Sequence, residues 1–309
     1  MNQNLYTTTR LAQSNGHYVM TDGIKPLQKK IIHFNTKYAD EFETNNYAKY
    51  TITIPDILNN IKTLHLESIE IPNSVYNFAT TICDTSNTIS NTYFHIQQQG
   101  NSTITKIKIP DGNYANVSQL LDEINQQLVD ASIGGIALTT PPPSNKVQIA
   151  NSSGTTYLFH FALNENGQFD KYNFKNKLGW LLGFRTTSIT LPTSQNVLAT
   201  SALNIAPTKE LYFALDEKAQ NAINSTQVFF ANNSLAKNIL AKIQYDFSAS
   251  TSTNYIFATK ENGRLITTPR IYNTPTNFKK INVAIIDENG NYVNLNGLDF
   301  SFSLSIEFH

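Results

Sequence analysis

A chain of 309 residues in which 23 lysines and arginines balance 23 aspartates and glutamates has no net field to draw it to nucleic acid or to an anionic membrane. Its length is enough to bury one large core or two smaller ones without metal or disulfide staples. Charged residues make up only 15%, and the wealth of Asn, Thr, Ser, Tyr and Phe suits strands joined by polar loops.

Residues 1–30 lack core periodicity, carry Gly16, Gly23 and Pro26, and end in the basic group Lys25, Lys29 and Lys30. They read as an extended arm. The stretch has no apolar core of the kind a signal peptide needs, and no run in the chain approaches the roughly 18 apolar residues of a membrane helix. Folding in a reducing cytosol is therefore expected, and Cys83, the lone cysteine, reads as a buried or incidental thiol.

Strand patterns begin at Ile31 and recur at residues 31–34, 50–54, 63–71 and 93–97, punctuated by Pro55 and Pro72. Residues 103–109 alternate as a further strand before a turn at Gly112. Then Val117, Leu120, Leu121, Ile124 and Leu128 recur at helical spacing behind Asn116, a good N-cap with Gln119 three residues on. This predicts one amphipathic helix.

Residues 146–149 and 157–161 read as a pair of strands around a turn at 151–154. The glycine-punctuated run 179–185 is too short for a free-standing helix and predicts a tight buried turn that packs Trp180 and Phe184. Strand character resumes at 211–215 and 239–247. At the end Phe300, Phe302, Leu304, Ile306 and Phe308 alternate with Ser301, Ser303, Ser305 and Glu307. That strict period of two describes a strand with one buried face, and with residues 280–286 and the turn 287–291 it predicts a closing hairpin.

Catalytic and metal chemistry finds little support. The six histidines, His17, His33, His65, His95, His160 and His309, show no HxH, HExxH or Cys/His spacing, and no GxSxG, Walker or Rossmann pattern occurs. The segment 287–291 faintly echoes a calcium loop, but Leu298 stands where the bidentate glutamate belongs, so it reads as a turn. Acidic pairs at Glu41/Glu43, Asp122/Glu123 and Asp216/Glu217 read as solvated faces. Asn-x-Ser/Thr triplets at Asn101, Asn116, Asn151, Asn224 and Asn232 are expected by chance in so Asn-rich a chain. Tyr47, Tyr50, Tyr76 and Tyr114 could stack on sugars or bases, although without a basic stripe nucleic acid is a poor partner. No catalytic residue, cofactor or metal is expected.

Five phrases, taken in order, are IIHFNTKY at 31–38, YTITIPDILNNIKTLHLESIEIPNSVYNF at 50–78, IKIPDGNYANVSQLLDEIN at 107–125, LGWLLGFR at 178–185 and DENGNYVNLNGLDFSFSLSIEF at 287–308. Over residues 31–308 the chain resembles penton or minor capsid proteins of large double-stranded DNA viruses, virophages and polinton-like viruses. The resemblance implies an all-β single jelly roll with an inserted small α/β-containing subdomain. It further implies a homopentamer at the icosahedral vertices beside major capsid proteins and other minor capsid proteins, located in the virion capsid and made in the host cytoplasm. The expected divisions are an arm at 1–30, a jelly-roll core at 31–100 plus 205–309, and an insertion at 101–204 bearing the helix. The arm with Lys25, Lys29 and Lys30 would then order on a neighbour during assembly. A spike or fibre base, or a lectin-like receptor-binding virion protein, is the alternative.

Overall fold

Apolar residues at every second position give most of the chain antiparallel pairing in the computed structural model. It describes residues 11–14, 17–20, 27–40, 47–82, 88–205, 210–219, 221–223, 226–230, 235–236, 238–245 and 255–308. Lys25, Glu41, Glu43, Cys83, Asn224, Asn232 and His309 lie outside the described residues. Within the expected arm, the backbone segments Leu11–Ser14 and His17–Met20 pair with each other.

Among the described residues the largest sheet has nine strands, and its main path runs Leu265–Thr267, Ile239–Gln244, Glu210–Asp216, Arg270–Asp287, Lys49–Pro72, Ser301–Phe308, Gln28–Asn35. Ala222–Ile223 pairs with the Arg270–Asp287 strand, and Tyr255–Thr259 pairs with Lys49–Pro72. The sheet curls over its own inner face. Phe213 and Phe302 sit on strands three spacings apart, roughly 14 Å in a flat sheet, yet their ring centroids are 5.0 Å apart. Phe300, Leu304 and Ile306 join Phe302, Phe213, Ile52, Leu66 and Ile285 in one buried cluster. The all-β expectation is met by this curled antiparallel sheet.

Several local expectations are corrected. Residues 50–54 and 63–71 belong to one 24-residue strand, because the chain passes Pro55 and the left-handed Asn60 (φ 56°) without breaking. The ladder to Arg270–Asp287 is irregular there, with register shifts between Ile271 and Lys280, so the missing proline N–H falls where pairing is already interrupted. The closing hairpin does not form either. Arg270–Asp287 and Ser301–Phe308 each pair with Lys49–Pro72, which lies between them, and the connection 288–300 is far longer than a hairpin loop. The first long-range strand begins at Gln28, so Lys29 and Lys30 are in register with Glu307 and Ile306 and belong to the sheet edge, not to an arm.

A second core lies between residues 78 and 205. A four-stranded sheet runs Ser188–Leu191, Tyr157–His160, Tyr93–Gln98, Ile104–Lys108, and a three-stranded sheet runs Asn196–Leu198, Gln148–Asn151, Ile136–Thr139. The segments expected at 146–149 and 157–161 thus fall in different sheets, since each has partners on both sides elsewhere. The predicted helix is Val117–Asp130. Asn116 caps it by accepting from the Gln119 N–H at 2.9 Å, while Gln119 Oε1 accepts from the Ala115 N–H at 2.8 Å. Leu120, Leu121, Ile124 and Leu128 are all buried against the sheets. Phe78, Phe94 and Ile96 belong to this core although they precede residue 101. Tyr93–Gln98 pairs with Ile104–Lys108 across the expected boundary.

Candidate functional site

The run from Leu178 to Arg185 explains how the second core meets the first. Leu178–Leu181 forms one helical turn, and Gly179 lets the Phe161 ring pack where a Cβ would collide with it. Gly183 then takes φ +98° and lies against the Ser201 carbonyl, a conformation and an approach that only glycine permits. Phe184 is thereby driven inward, where it stacks on Phe161 at 5.0 Å. Trp180 goes the other way. It is half-buried rather than core, edge-on to Phe174 at 5.2 Å, with the Arg185 guanidinium stacked 4.0 Å from its ring centre and donating to its carbonyl.

Trp180 and Arg185 face a cleft of about 320 Å³ between the two cores. Its walls are the segment 75–79 leading into the second core, the flanks of the Trp180 turn, and the turn 287–296. The 287–291 segment is the turn expected from sequence. The Asp287 carboxylate accepts from the Asn289 N–H at 2.9 Å and the Asn291 N–H at 2.8 Å, with Gly290 at φ +90°. Burial nevertheless raises the Asp287 pKa above the ordinary carboxylate value, against the lowering effect of those hydrogen bonds. Asn77 and Asn91 lock the junction. Asn77 donates to the Ile205 carbonyl at 2.8 Å and accepts from Tyr114 N–H, and Asn91 donates to the Asn77 carbonyl while accepting from Ala79 N–H.

Of the four tyrosines singled out for stacking, Tyr50 and Tyr114 are buried, and Tyr76, 41% exposed, lines the cleft. Its asparagines were hidden in sequence by the general abundance of Asn. The one signal for Trp180 was its pair of flanking cations, Lys175 and Arg185.

Two buried polar clusters lie elsewhere. Lys177, 2% exposed, pairs with Asp170 at 3.2 Å and reaches Tyr93 Oη at 3.4 Å. Beside it the buried His95 is held neutral, its pKa pushed down to about 4, first by burial and then by Lys106, His160 and Lys177. In the first core Arg270 pairs with Glu217, and Tyr272 Oη donates to Glu217 Oε1 at 2.7 Å. Burial and the Glu217 charge raise the Tyr272 pKa beyond the ordinary tyrosine range. His33 Nδ1 lies 2.7 Å from Ser303 Oγ, a contact set by strand register, with Ser68 Oγ donating to the same hydroxyl at 3.0 Å. Among the described residues, no group of three or more His, Cys, Asp or Glu side chains could hold a metal ion, and no helix is long and apolar enough to cross a membrane.

No family model matches the chain, and no curated protein matches it. Among solved structures, it is similar to the selenomethionine-labelled mavirus penton protein in its crystal structure, at a TM-score of 0.40 and 10% identity. That alignment covers 91% of this chain and 99% of the other. It is also similar to a chain of the Sputnik virophage in its 3.5 Å cryo-EM structure, at a TM-score of 0.40 and 13% identity over 92% of this chain and 98% of that one.

Proposed function

We propose that this chain is a non-enzymatic structural protein of a virion capsid, the penton that closes icosahedral vertices as a homopentamer and contacts the major capsid protein. The observation that carries this reading is what the five capsid-like phrases do once folded. Those at 31–38, 50–78 and 287–308 supply three adjacent strands of the curled sheet, Gln28–Asn35, Ser301–Phe308 and Lys49–Pro72. Those at 107–125 and 178–185 supply the helix and the glycine turn of the second core.

The physical setting supports assembly. Zero net charge lets like subunits approach, and a head-to-tail contact closes into a ring whenever its rotation divides the circle. In this reading the curled sheet, within residues 28–76 and 210–308, is the jelly roll, and the second core, within 77–205, is an insertion carried on it. Residues ahead of Gln28, including Lys25, act as the assembly arm, and other minor capsid proteins are further neighbours. Synthesis takes place in the host cytoplasm and the protein resides in the virion.

Light scattering coupled to size exclusion, with negative-stain imaging, tests the proposal directly. A five-fold ring is expected. A trimer would favour the spike or fibre-base reading, and a chain that stays monomeric with its major capsid partner present would overturn the penton assignment.

A further inference from the structure

We propose that residues 162–170 form a hairpin lid over the outer face of the four-stranded sheet, and that acid releases this lid locally while the rest of the fold holds. This goes beyond a structural role in the capsid and does not depend on the number of subunits. Phe94 and Ile96 enter the second core, so Tyr93 and His95, which alternate with them along the same strand, point from the opposite face. That face is covered, since Tyr93 is 1% and His95 3% exposed. The Asp170 N–H donates to the Ala162 carbonyl at 2.7 Å, Leu163 bridges Phe169, and the Asn164 side-chain oxygen accepts from the Asn166 and Gln168 N–H groups, which closes 162–170 as a small hairpin. Charge anchors it. Glu165 pairs with Lys106 of the neighbouring strand, and Asp170 pairs at 3.2 Å with Lys177, whose Nζ lies 5.3 Å from the Tyr93 ring centre. Beyond the small Ala162, Leu163 is only half-buried and Phe169 is 62% exposed, so little apolar area holds the hairpin down. A segment attached in this way opens more readily than the core beneath it.

Beneath the hairpin runs a row of bases. His160, His95 and Lys106 stand directly opposite one another on three adjacent strands, and Lys177 adds its charge from the segment that follows the hairpin. While both histidines are neutral, Lys106 and Lys177 are matched by Glu165 and Asp170. A proton added to either histidine unbalances that set. His95 Nδ1 is buried and bonds to none of the described residues, so no acceptor is placed to receive a proton there. His160 Nε2 meets only the neutral Gln97 side chain, at 3.2 Å. Tyr93, edge-on to His95 at 5.4 Å, keeps its own proton, because burial and the Glu165 and Asp170 charges raise its pKa. Burial first, then Lys106, His160 and Lys177 push the His95 pKa down to about 4, with Glu165 opposing, and burial lowers that of His160 as well. Lifting the hairpin hydrates His95 and returns it towards about 6.5. A histidine whose pKa is lower in the closed state than in the open one favours closure above pH 6.5 and withdraws that preference as pH falls towards 4. From pH 7.5 to pH 5 His95 alone can raise the opening constant by up to about thirtyfold.

Hydrogen exchange of the full chain, read by mass spectrometry and corrected for the intrinsic exchange rate at each pH, tests this. Protection of 162–170 should fall about tenfold or more from pH 7.5 to pH 5, while the Ile239–Gln244 strand of the first core keeps its protection. His95→Gln should remove most of that fall. Glu165→Gln, at a half-exposed side chain, should loosen 162–170 already at pH 7.5 and leave the further fall on acidification in place. If His95→Gln does not fold, Lys106→Gln carries the same test at a more exposed position. Loss of that cation raises the His95 pKa in the closed state, so the acid response must shrink. Equal protection of 162–170 at the two pH values, loss of protection in both cores together, or an acid response undiminished in the folded His95 or Lys106 variant would overturn the proposal.

Discussion

Phe213 and Phe302 touch ring to ring at 5.0 Å although the Arg270–Asp287 and Lys49–Pro72 strands stand between theirs in the sheet. Their contact is therefore made across the curl and not along the ladder, and it brings two separated strands of one sheet into a single core. Phe302→Ala should destabilise by about 3–5 kcal/mol, read from urea unfolding. In a double-mutant cycle with Phe213→Leu, a coupling of about 0.5–1.5 kcal/mol is expected. Strict additivity would mean that these two strands do not close on each other across the curl.

The Arg270–Glu217 pair should behave as a buried ion pair whose halves depend on each other. Arg270 is 3% exposed, donates also to the Leu215 carbonyl at 2.9 Å, and shares Glu217 with Tyr272. Arg270→Met leaves the Glu217 carboxylate buried without its cation and should cost about 3–5 kcal/mol. The double variant Arg270→Met, Glu217→Leu should recover much of that loss. A double variant as unstable as the single one would show that the pair contributes through packing rather than through charge.

What was legible in the sequence was whatever is decided locally. The helix announces itself through Asn116, Gln119 and the spacing of Leu120, Leu121, Ile124 and Leu128, all within one short stretch. The Phe300 to Ile306 alternation marks the face that enters the first core, although Ser303 and Ser305 on the opposite face, which the pattern would leave in solvent, are buried as well. It cannot show which strand lies alongside, because period two encodes a face and not a neighbour. That is why Ser301–Phe308 reads as a hairpin partner of residues 280–286 when Lys49–Pro72, more than 200 residues away, occupies the place between them. Trp180 misleads for a related reason. An apolar residue among glycines reads as core, and only the three-dimensional placement of Arg185 over its ring shows that it belongs to a wall of the cleft.

Helix packing gives a sharper test of the second core. Leu121 is 4% exposed and sits among the buried residues that join helix to sheet. Leu121→Ala should lower stability by about 2–5 kcal/mol, measured by chemical denaturation. A loss below about 1 kcal/mol would mean that the site collapses around the cavity or that the helix is not a load on this core.

Acid should weaken the fold through His95. Burial and the nearby Lys106, His160 and Lys177 hold its pKa at about 4, while an unfolded chain titrates near 6.5. Between those values the unfolded chain binds a proton that the folded chain refuses. The stability present above about pH 6.5 is therefore lost as pH falls towards 4, with a ceiling on the order of 3 kcal/mol. Glu165 opposes these neighbours, and His160, itself lowered by burial, adds a smaller contribution of the same sign. His95→Gln should flatten the stability profile between pH 7 and 4.5 relative to the parent chain. An identical slope in both proteins would place the acid sensitivity elsewhere.

The N-terminal segment should divide sharply at Gln28. Deleting residues 1–26 removes none of the pairings of the nine-stranded sheet among the described residues, whereas deleting 1–35 strips the Gln28–Asn35 strand from Ser301–Phe308. The second deletion also removes the stack of Phe34 on Phe302 at 5.0 Å and leaves the apolar C-terminal strand as a bare edge. The shorter truncation should melt within a few degrees of the parent, and the longer one should unfold or aggregate. Co-expression with the major capsid protein then isolates the arm's own role, since in the proposed assembly a well-folded chain lacking residues 1–26 fills fewer vertices. Full vertex occupancy by that chain would end the assembly-arm idea, and a large drop in its melting temperature would show that residues ahead of Gln28 belong to the fold.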